Sequence, residues 1–364
     1  MNNIFLIDEN TITYDQLIDY VNNRSVCDYS KFELFVLNSL KSLINSKINS
    51  FDELLINLVE SNKNIQLFSS GTTGKPKVIN QSYKNIVRNI KVSNKRKNDV
   101  WGMFYSPNRM AGYQVLFQSL LNKNTLVNMF NYDFKDIQNR ILAHNVTHLS
   151  ATPTLYKMIL SPDIKYDKVQ QVTLGGEGSN TSFLKIINNY FPNAKIKNVY
   201  ASTEAGSLFA STGELFQIPS HERDKIKVLE DELWIHKSLL GVSSSIEIVN
   251  GWFNTGDLVE FVNDFKFKIL GRSSNVVNVA GYIVNLESVE SKIQNLNSVK
   301  ICRVYSKVNS ILGNILFCEL ILNDSISLKE VKLNIKNILE KYEVPTKIIS
   351  VNNLELNENG KIKR

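Results

Sequence analysis

Ser69-Ser70-Gly71-Thr72-Thr73-Gly74-Lys75-Pro76-Lys77 packs four hydroxyls, two glycines and two lysines into nine residues. Glycines let a backbone turn its N–H groups toward an anion, and hydroxyls and ammonium groups complete such a cradle. An apolar run, Ile65-Gln66-Leu67-Phe68, precedes it and reads as a strand. A periodic segment from Ser82 to Lys95 follows and reads as a helix. The stretch therefore predicts a phosphate-binding loop between regular elements.

A Walker A loop needs four residues between its first glycine and Gly-Lys-Ser/Thr. Here only Thr72 and Thr73 separate the glycines, and Pro76 follows Lys75, so that reading fails. The stretch resembles instead the signature loop of the adenylate-forming superfamily, the acyl- and aryl-CoA ligases, luciferases and adenylation domains. Their pattern is Ser/Thr-Ser-Gly-Thr/Ser-Thr-Gly-x-Pro-Lys. The resemblance assigns Ser69, Ser70, Gly71, Thr72, Thr73, Gly74 and Lys77 to ATP.

Outward from the loop, residues 65–200 alternate apolar runs with amphipathic stretches. Strands are expected at Val100–Tyr105, Thr125–Met129, His148–Ala151, Val172–Leu174 and Ile196–Tyr200. Helices are expected at Tyr113–Leu121, Phe134–His144, Pro153–Leu160 and Ser182–Tyr190. That alternation predicts an α/β fold with mostly parallel strands flanked by helices, and ligands on such sheets sit at the carboxyl ends of strands. Residues 205–270 read as a β-rich subdomain, with strand-like runs at Ile226–Leu229, Leu233–Ile235, Ile246–Val249 and Phe265–Leu270. Residues 272–364 read as a small α+β unit. The first 64 residues give a strand at Ile4–Ile7 and helices near 14–22, 31–47 and 51–60.

The resemblance divides the chain into an N-terminal adenylate-forming domain, 1–271, and a mobile C-terminal lid, 272–364. Its first subdomain, 1–64, is shorter than is usual, so the chain resembles a reduced, stand-alone member.

Four further motifs resemble the family's in order. Tyr200-Ala201-Ser202-Thr203-Glu204 implies Tyr200 on adenine, Thr203 on phosphate and Glu204 on Mg²⁺, with Ala201 in place of the usual glycine beside the acyl pocket. Trp252-Phe253-Asn254-Thr255-Gly256-Asp257 implies that Asp257 accepts from both ribose hydroxyls, which a carboxylate's paired oxygens suit. Gly271-Arg272 resembles the hinge, with Arg272 on ribose or phosphate. The hinge acid falls at Ser274 and a motif lysine at Asn278, two departures. Gly360-Lys361-Ile362-Lys363-Arg364 implies that Lys361 is the mobile catalytic lysine. Gly175-Gly176-Glu177 resembles the segment beside adenine, where Glu177 faces the pocket or caps a helix.

Tyr105-Ser106-Pro107-Asn108-Arg109-Met110-Ala111-Gly112 resembles the acyl-pocket segment, which brings in Arg109, Met110 and Gly112. No acid lies between Trp101 and Phe130, and a guanidinium repels an α-ammonium, so amino-acid activation is disfavoured. Arg109 either pairs with a second anion on the substrate or bonds to backbone or an internal acid.

The implied reaction is ATP-dependent activation of a small carboxylic acid to an acyl-adenylate, with Mg²⁺ and release of pyrophosphate, then transfer to a thiol. The acceptor is CoA, or the phosphopantetheine of an acyl-carrier protein. A degenerate nucleotide- or adenylate-binding protein is the third reading. By family analogy alone a homodimer is admitted.

Composition sets bounds. The chain has 364 residues and a net charge of +7, but basic residues are concentrated only from Lys91 to Lys97, which argues against a nucleic-acid binder. No run reaches a membrane span's length, and Met1–Asp8 lacks a signal peptide's apolar region. Cys27, Cys302 and Cys318 show no metal or redox spacing and suit a reducing cytoplasm. His144 and His148 read as structural.

Overall fold

The computed structural model describes residues 4–23, 28–61, 63–69, 77–310, 312–323, 326–358 and 360–363. Its largest sheet has eight strands. Six of them, Ile4–Ile7, Val100–Met103, Thr125–Asn128, His148–Ala151, Gln171–Gly175 and Lys195–Ser202, run parallel. Thr11–Thr13 and Gly206–Ser211 close the two edges antiparallel. All four residues of Thr125–Asn128 are buried, as expected where helices cover both faces of a parallel sheet.

The crossover helices are Met110–Leu121, Phe134–Ala143, Pro153–Ile159 and Thr181–Tyr190. Three begin where the sequence supplies a side-chain cap. Asp133, Thr152 and Asn180 accept from the N–H of Asp136, Leu155 and Phe183, satisfying donors that a helix start leaves unpaired. Their apolar faces enclose Tyr156, Tyr166 and Phe191, all fully buried.

Strand order decides where a ligand can sit. Val100–Met103 pairs with Thr125–Asn128 on one side and with His148–Ala151 on the other. The chain thus reverses its direction of travel across the sheet at Val100–Met103. In open α/β sheets the crevice at that reversal, beyond the carboxyl ends of the strands, is the ligand site.

The expected β-rich stretch is a five-stranded antiparallel sheet in the order Phe216–Gln217, Lys266–Arg272, Trp252–Asn263, Glu232–His236, Ile226–Leu229. Gly206–Ser211 belongs to the large sheet instead. Ile246–Val249 makes only an isolated bridge, Val249 with Trp252, because Ser243, Ser245 and Glu247 interrupt its apolar character. The C-terminal unit pairs Val276–Val279, Tyr282–Asn285, Val299–Asn309, Gly313–Leu322 and Lys347–Ser350 around the helices Leu286–Gln294 and Leu328–Ile338. Cys302 and Cys318 are free thiols in its core.

One expectation needs correction. The segment after the glycine-rich stretch is not a helix from Ser82 to Lys95. Asn64–Ser69 pairs antiparallel with Lys77–Ser82, with Ser69 opposite Lys77. A five-residue helix, Tyr83–Val87, and a single turn at Asn94–Arg96 follow. Ile79 and Gln81 alternate inward, a period of two. Beyond them Asn85, Arg88 and Asn89 spend their side chains on the carbonyls of Leu240, Leu239 and Ser207. Residues 70–76, which include Ser70, Gly71, Thr72, Thr73 and Gly74, lie outside the described residues, as do Cys27 and Arg364.

Candidate active site

The parallel strands deliver three of the motif segments, together with Thr152, to one edge of the sheet. Arg109 follows Val100–Met103, Thr152 follows His148–Ala151, Gly176 and Glu177 follow Gln171–Gly175, and Thr203 and Glu204 follow Lys195–Ser202.

Asp257 and Arg272 face each other across an antiparallel pair. Arg272 Nε lies 2.8 Å from Asp257 Oδ1, and the Tyr200 hydroxyl donates to Asp257 Oδ2 at 2.5 Å. Burial, then the adjacent carboxylate, holds the Tyr200 phenol far above its usual range. Burial works against the charge of Arg272, but Asp257, Tyr200, Glu204 and Glu287 hold its pKa up. Each Asp257 oxygen keeps a second lone pair, so the carboxylate can still accept two hydroxyls. The Tyr200 ring stacks on Phe209 at 5.6 Å.

Lys361 reaches this edge from the far end of the chain. Its Cε would lie 3.1 Å, and its Nζ 3.5 Å, from a Cβ added at Gly176, whose φ is +81°. Glycine suits the position on two counts, a left-handed backbone and the close approach of the lysine. Burial lowers the Lys361 pKa, and Glu177 opposes that shift. Burial raises Glu177, and Lys361 opposes it in turn. Burial disfavours the charged form of both groups, and an arriving phosphate would favour the charged ammonium. Glu177 Oε2 also accepts from the Thr154 N–H at 3.0 Å, so it caps Pro153–Ile159 while facing the lysine.

The lysine is presented on a tight turn. Asn357 N–H donates to the Lys361 carbonyl at 2.8 Å, and Leu356 bridges Ile362. The Thr152 hydroxyl donates to the Gly360 carbonyl at 2.5 Å. Gly360 has φ +68°, and a Cβ there would press on Leu155 and Thr152.

The acyl-pocket residues divide. Met110 is buried and packs toward Gly206, where a Cβ would meet its Cε at 3.1 Å. Gly112 is obligatory, since a Cβ would lie 2.3 Å from the Ser106 carbonyl oxygen. Ala201 pairs with Ser207. Arg109 does not point free into a cavity. Its guanidinium contacts Glu358 Oε2 at 2.5 Å and donates to the Phe68 carbonyl, which matches the backbone-or-acid alternative.

Residues that the sequence did not flag complete the site. Gln81, fully buried, donates through Nε2 to the carbonyls of Thr203 at 2.9 Å and Glu204 at 2.7 Å. Gly241 N–H also donates to Glu204 O. Glu287 accepts from the Arg272 N–H at 3.2 Å and from Asn275 at 2.6 Å. It lies so close that a Cβ at Gly271 would meet it at 2.4 Å. At the departures, Asn278 Oδ1 accepts from Gly281 N–H in a hairpin turn, and Ser274 lies in the turn after Arg272. Periodicity flags apolar faces; a buried glutamine and a glutamate set against Gly271 leave no comparable signal.

Among the described residues no cluster of three His, Cys, Asp or Glu could hold a metal by itself. Glu204, partly exposed, offers one carboxylate, which fits Mg²⁺ bound chiefly by substrate phosphates and water. No helix among the described residues is long and apolar enough to cross a membrane.

Comparison with known proteins agrees with this geometry. Residues 61–228 match the model of the AMP-binding enzyme family. The chain is 23% identical over 342 residues to bacitracin synthase 3 of Bacillus licheniformis, covering 82% of this chain and 5% of that protein. It is 24% identical over 331 residues to 2-succinylbenzoate–CoA ligase of Bacillus subtilis, covering 82% of this chain and 67% of the relative. The solved o-succinylbenzoate CoA synthetase of Bacillus subtilis, in complex with its acyl-adenylate intermediate, superposes with a TM-score of 0.71. It shares 19% identity, over 99% of this chain and 94% of that one, and so speaks to the fold. Residues 61–228 are thus an AMP-binding enzyme domain, within a chain similar over most of its length to 2-succinylbenzoate–CoA ligase.

Proposed function

We propose that the protein activates a carboxylic acid with ATP, forming an acyl-adenylate and pyrophosphate, and passes the acyl group to a thiol, that of CoA. The observation that carries this reading is the arrival of Lys361 at Gly176 and Glu177, beside the Tyr200–Asp257–Arg272 group. A nucleotide-binding module alone has no use for a buried lysine delivered from the last residues of the chain.

The substrate carboxylate attacks the α-phosphorus and pyrophosphate leaves. Both reactants are anions, so the residues must supply positive charge at the reacting centre. In this reading Lys361 bridges the carboxylate and α-phosphate oxygens as charge moves from one to the other. Arg272 and Asp257 hold the ribose, Tyr200 lies against adenine, and Thr203 takes a phosphate oxygen. The residues from Ser69 to Gly74, with Lys77, cradle the departing phosphates. Catalysis is then positioning and preorganised charge, with no covalent enzyme intermediate. Mg²⁺, held by Glu204, would offset phosphate charge. Residues 272–364 act as a lid that swings about Gly271–Arg272, removes Lys361 and admits the thiol. Water must stay out in between, because the acyl-adenylate is a mixed anhydride.

The relatives' names point to CoA; an acyl-carrier protein presents the same thiol arm and is the second acceptor to test. We assign the enzyme to the cytoplasm, with a homodimer left to measurement. ATP–pyrophosphate exchange with benzoate, acetate, succinate and alanine tests the reading. Exchange with one acid that falls at least ~100-fold in Lys361→Ala, with ATP binding kept, is the expected outcome. ATP binding without exchange on any acid would favour an adenylate-binding protein.

A further inference from the structure

The sequence offers Arg109 as a candidate for binding substrate, yet its guanidinium is already committed. Nη2 lies 2.5 Å and Nε 3.2 Å from Glu358 Oε2, while Nη1 donates to the Phe68 carbonyl. One side chain thus joins three segments distant in sequence. Phe68 lies in the strand that leads into the glycine-rich stretch. Arg109 itself occupies the N-cap position of Met110–Leu121, with no side-chain bond to the helix, at the sheet's point of reversal. Glu358 stands three residues before Lys361, in the turn that presents it.

We propose that Arg109 and Glu358 are a positioning pair: a clasp that holds the C-terminal turn against the sheet so that Lys361 stays in the site during adenylation, and that must open for the thiol step. This deepens, and rests on, the adenylation reading above. Three features support it. Nε and Nη2 of the guanidinium both donate to Glu358 Oε2, a charge-assisted contact stronger than a neutral hydrogen bond. Its second anchor is Thr152 on Gly360, on the other side of Glu358 from the turn's base at Leu356–Ile362. The turn is therefore pinned at Glu358 and at Gly360, both on the amino side of the lysine, and Lys361 is carried between them and Arg303, which donates to the Lys363 carbonyl from the lid itself. Finally, the clasp is suited to release. The Glu358 side chain is 57% exposed, so water replaces its partner readily and the pair holds only modestly. Lid rotation about Gly271 breaks the Arg109 and Thr152 contacts together, while the Arg303 contact, internal to the lid, travels with it.

The link to Phe68 gives the clasp a second consequence. The same guanidinium holds the end of the strand Asn64–Ser69, so opening the clasp also releases the Phe68 carbonyl as the lysine departs.

The test uses the full chain and the variants Glu358→Gln, Arg109→Lys and the charge-exchanged pair Arg109→Glu with Glu358→Arg. Hydrogen exchange of the amides of residues 355–363, read by mass spectrometry with and without Mg-ATP, reports the clasp without requiring turnover. Pyrophosphate exchange with the acid selected from the panel reports adenylation, and reaction of the synthetic acyl-adenylate of that acid with CoA reports the second step. Glu358→Gln, an exposed and conservative change, should speed amide exchange in the turn and lower pyrophosphate exchange about 5–10-fold. It should leave KM for ATP and the rate of thiol transfer unchanged or raise the latter. The charge-exchanged pair should recover part of the loss. Turn protection that is unaltered in both single variants overturns the clasp whatever the activities are. Faster turn exchange with adenylation and transfer slowed equally overturns the positioning role. Wild type that adenylates no acid sinks the adenylation reading, and the protection measurement still decides the clasp.

Discussion

Gln81 is the residue whose replacement tests most sharply how the Thr203–Glu204 turn is held. Its Nε2 donates to both carbonyls, at 2.9 and 2.7 Å, from a fully buried position. The amide orientation follows from the chemistry, since two carbonyls require an NH₂ between them. Gln81→Leu keeps the volume and removes the donors. Glu204 O retains the Gly241 N–H, whereas Thr203 O loses the Gln81 bond. Three lost bonds, counting the one that Gln81 Oε1 accepts from Asn85 Nδ2 at 3.2 Å, at about 1 kcal/mol each, plus one under-bonded carbonyl at about 1–2 kcal/mol, predict a loss of roughly 4–5 kcal/mol. The turn carries the residues assigned to phosphate and Mg²⁺, so a shift on the order of 1 Å predicts pyrophosphate exchange reduced about 100-fold. Urea unfolding measures the first quantity and exchange kinetics the second. Gln81→Glu should be worse at neutral pH, because its carboxylate would face two carbonyl oxygens, and should recover in acid as it gains a proton to donate. Stability within about 0.5 kcal/mol of wild type, the scale of a neutral surface change, together with unchanged exchange, would show that Gln81 does not set the turn.

Two further outcomes follow from the hinge and from a buried pair remote from the site. Gly271→Ala places a Cβ 2.4 Å from Glu287 Oε2 at a backbone φ of +126°; it should cost about 1–3 kcal/mol and slow thiol transfer more than adenylation, as single-turnover measurements of the two steps would reveal. His148 and Asp99 lie 3.4 Å apart at the amino end of the sheet. Burial, then Arg96 and Lys197, lowers His148 to about 4, and burial raises Asp99 to about 6. A histidine with a depressed folded pKa takes up a proton more readily when unfolded, so its contribution to stability is lost as pH falls from about 6.5 to 4. A carboxyl with a raised folded pKa acts in the opposite sense over about 4 to 6. In wild type the two offset, and stability should change little between pH 6.5 and 4. Asp99→Asn removes the offset, so this variant alone should lose up to about 3 kcal/mol over that range. Parallel urea titrations of both proteins check it, and a wild type that itself loses this much would sink the idea.

How much of this was legible can be judged from particular residues. The five parallel strands from Val100 to Ser202 and their helices were readable because each is a local pattern: apolar runs of strand length, then a capped amphipathic stretch. The segment after Lys77 misled. Ser82–Lys95 has helical spacing, but cross-strand pairing to Asn64–Ser69 and side-chain bonds to carbonyls more than 100 residues away outweigh local propensity. Arg109 was visible as a charge in the right segment, yet its partner, 249 residues away, was not.

The sequence by itself determined the resemblance to adenylate-forming enzymes, the order of the chemical groups and the alternation that makes a parallel sheet, because these depend on residue type and short spacing. Only the tertiary structure decided which groups meet. Gln81 under the Thr203–Glu204 turn, Glu287 at the hinge, Lys361 against Gly176 and Arg109 on Glu358 are contacts between segments far apart in the chain. Their energies depend on burial and direction, and neither exists until the sheet has assembled.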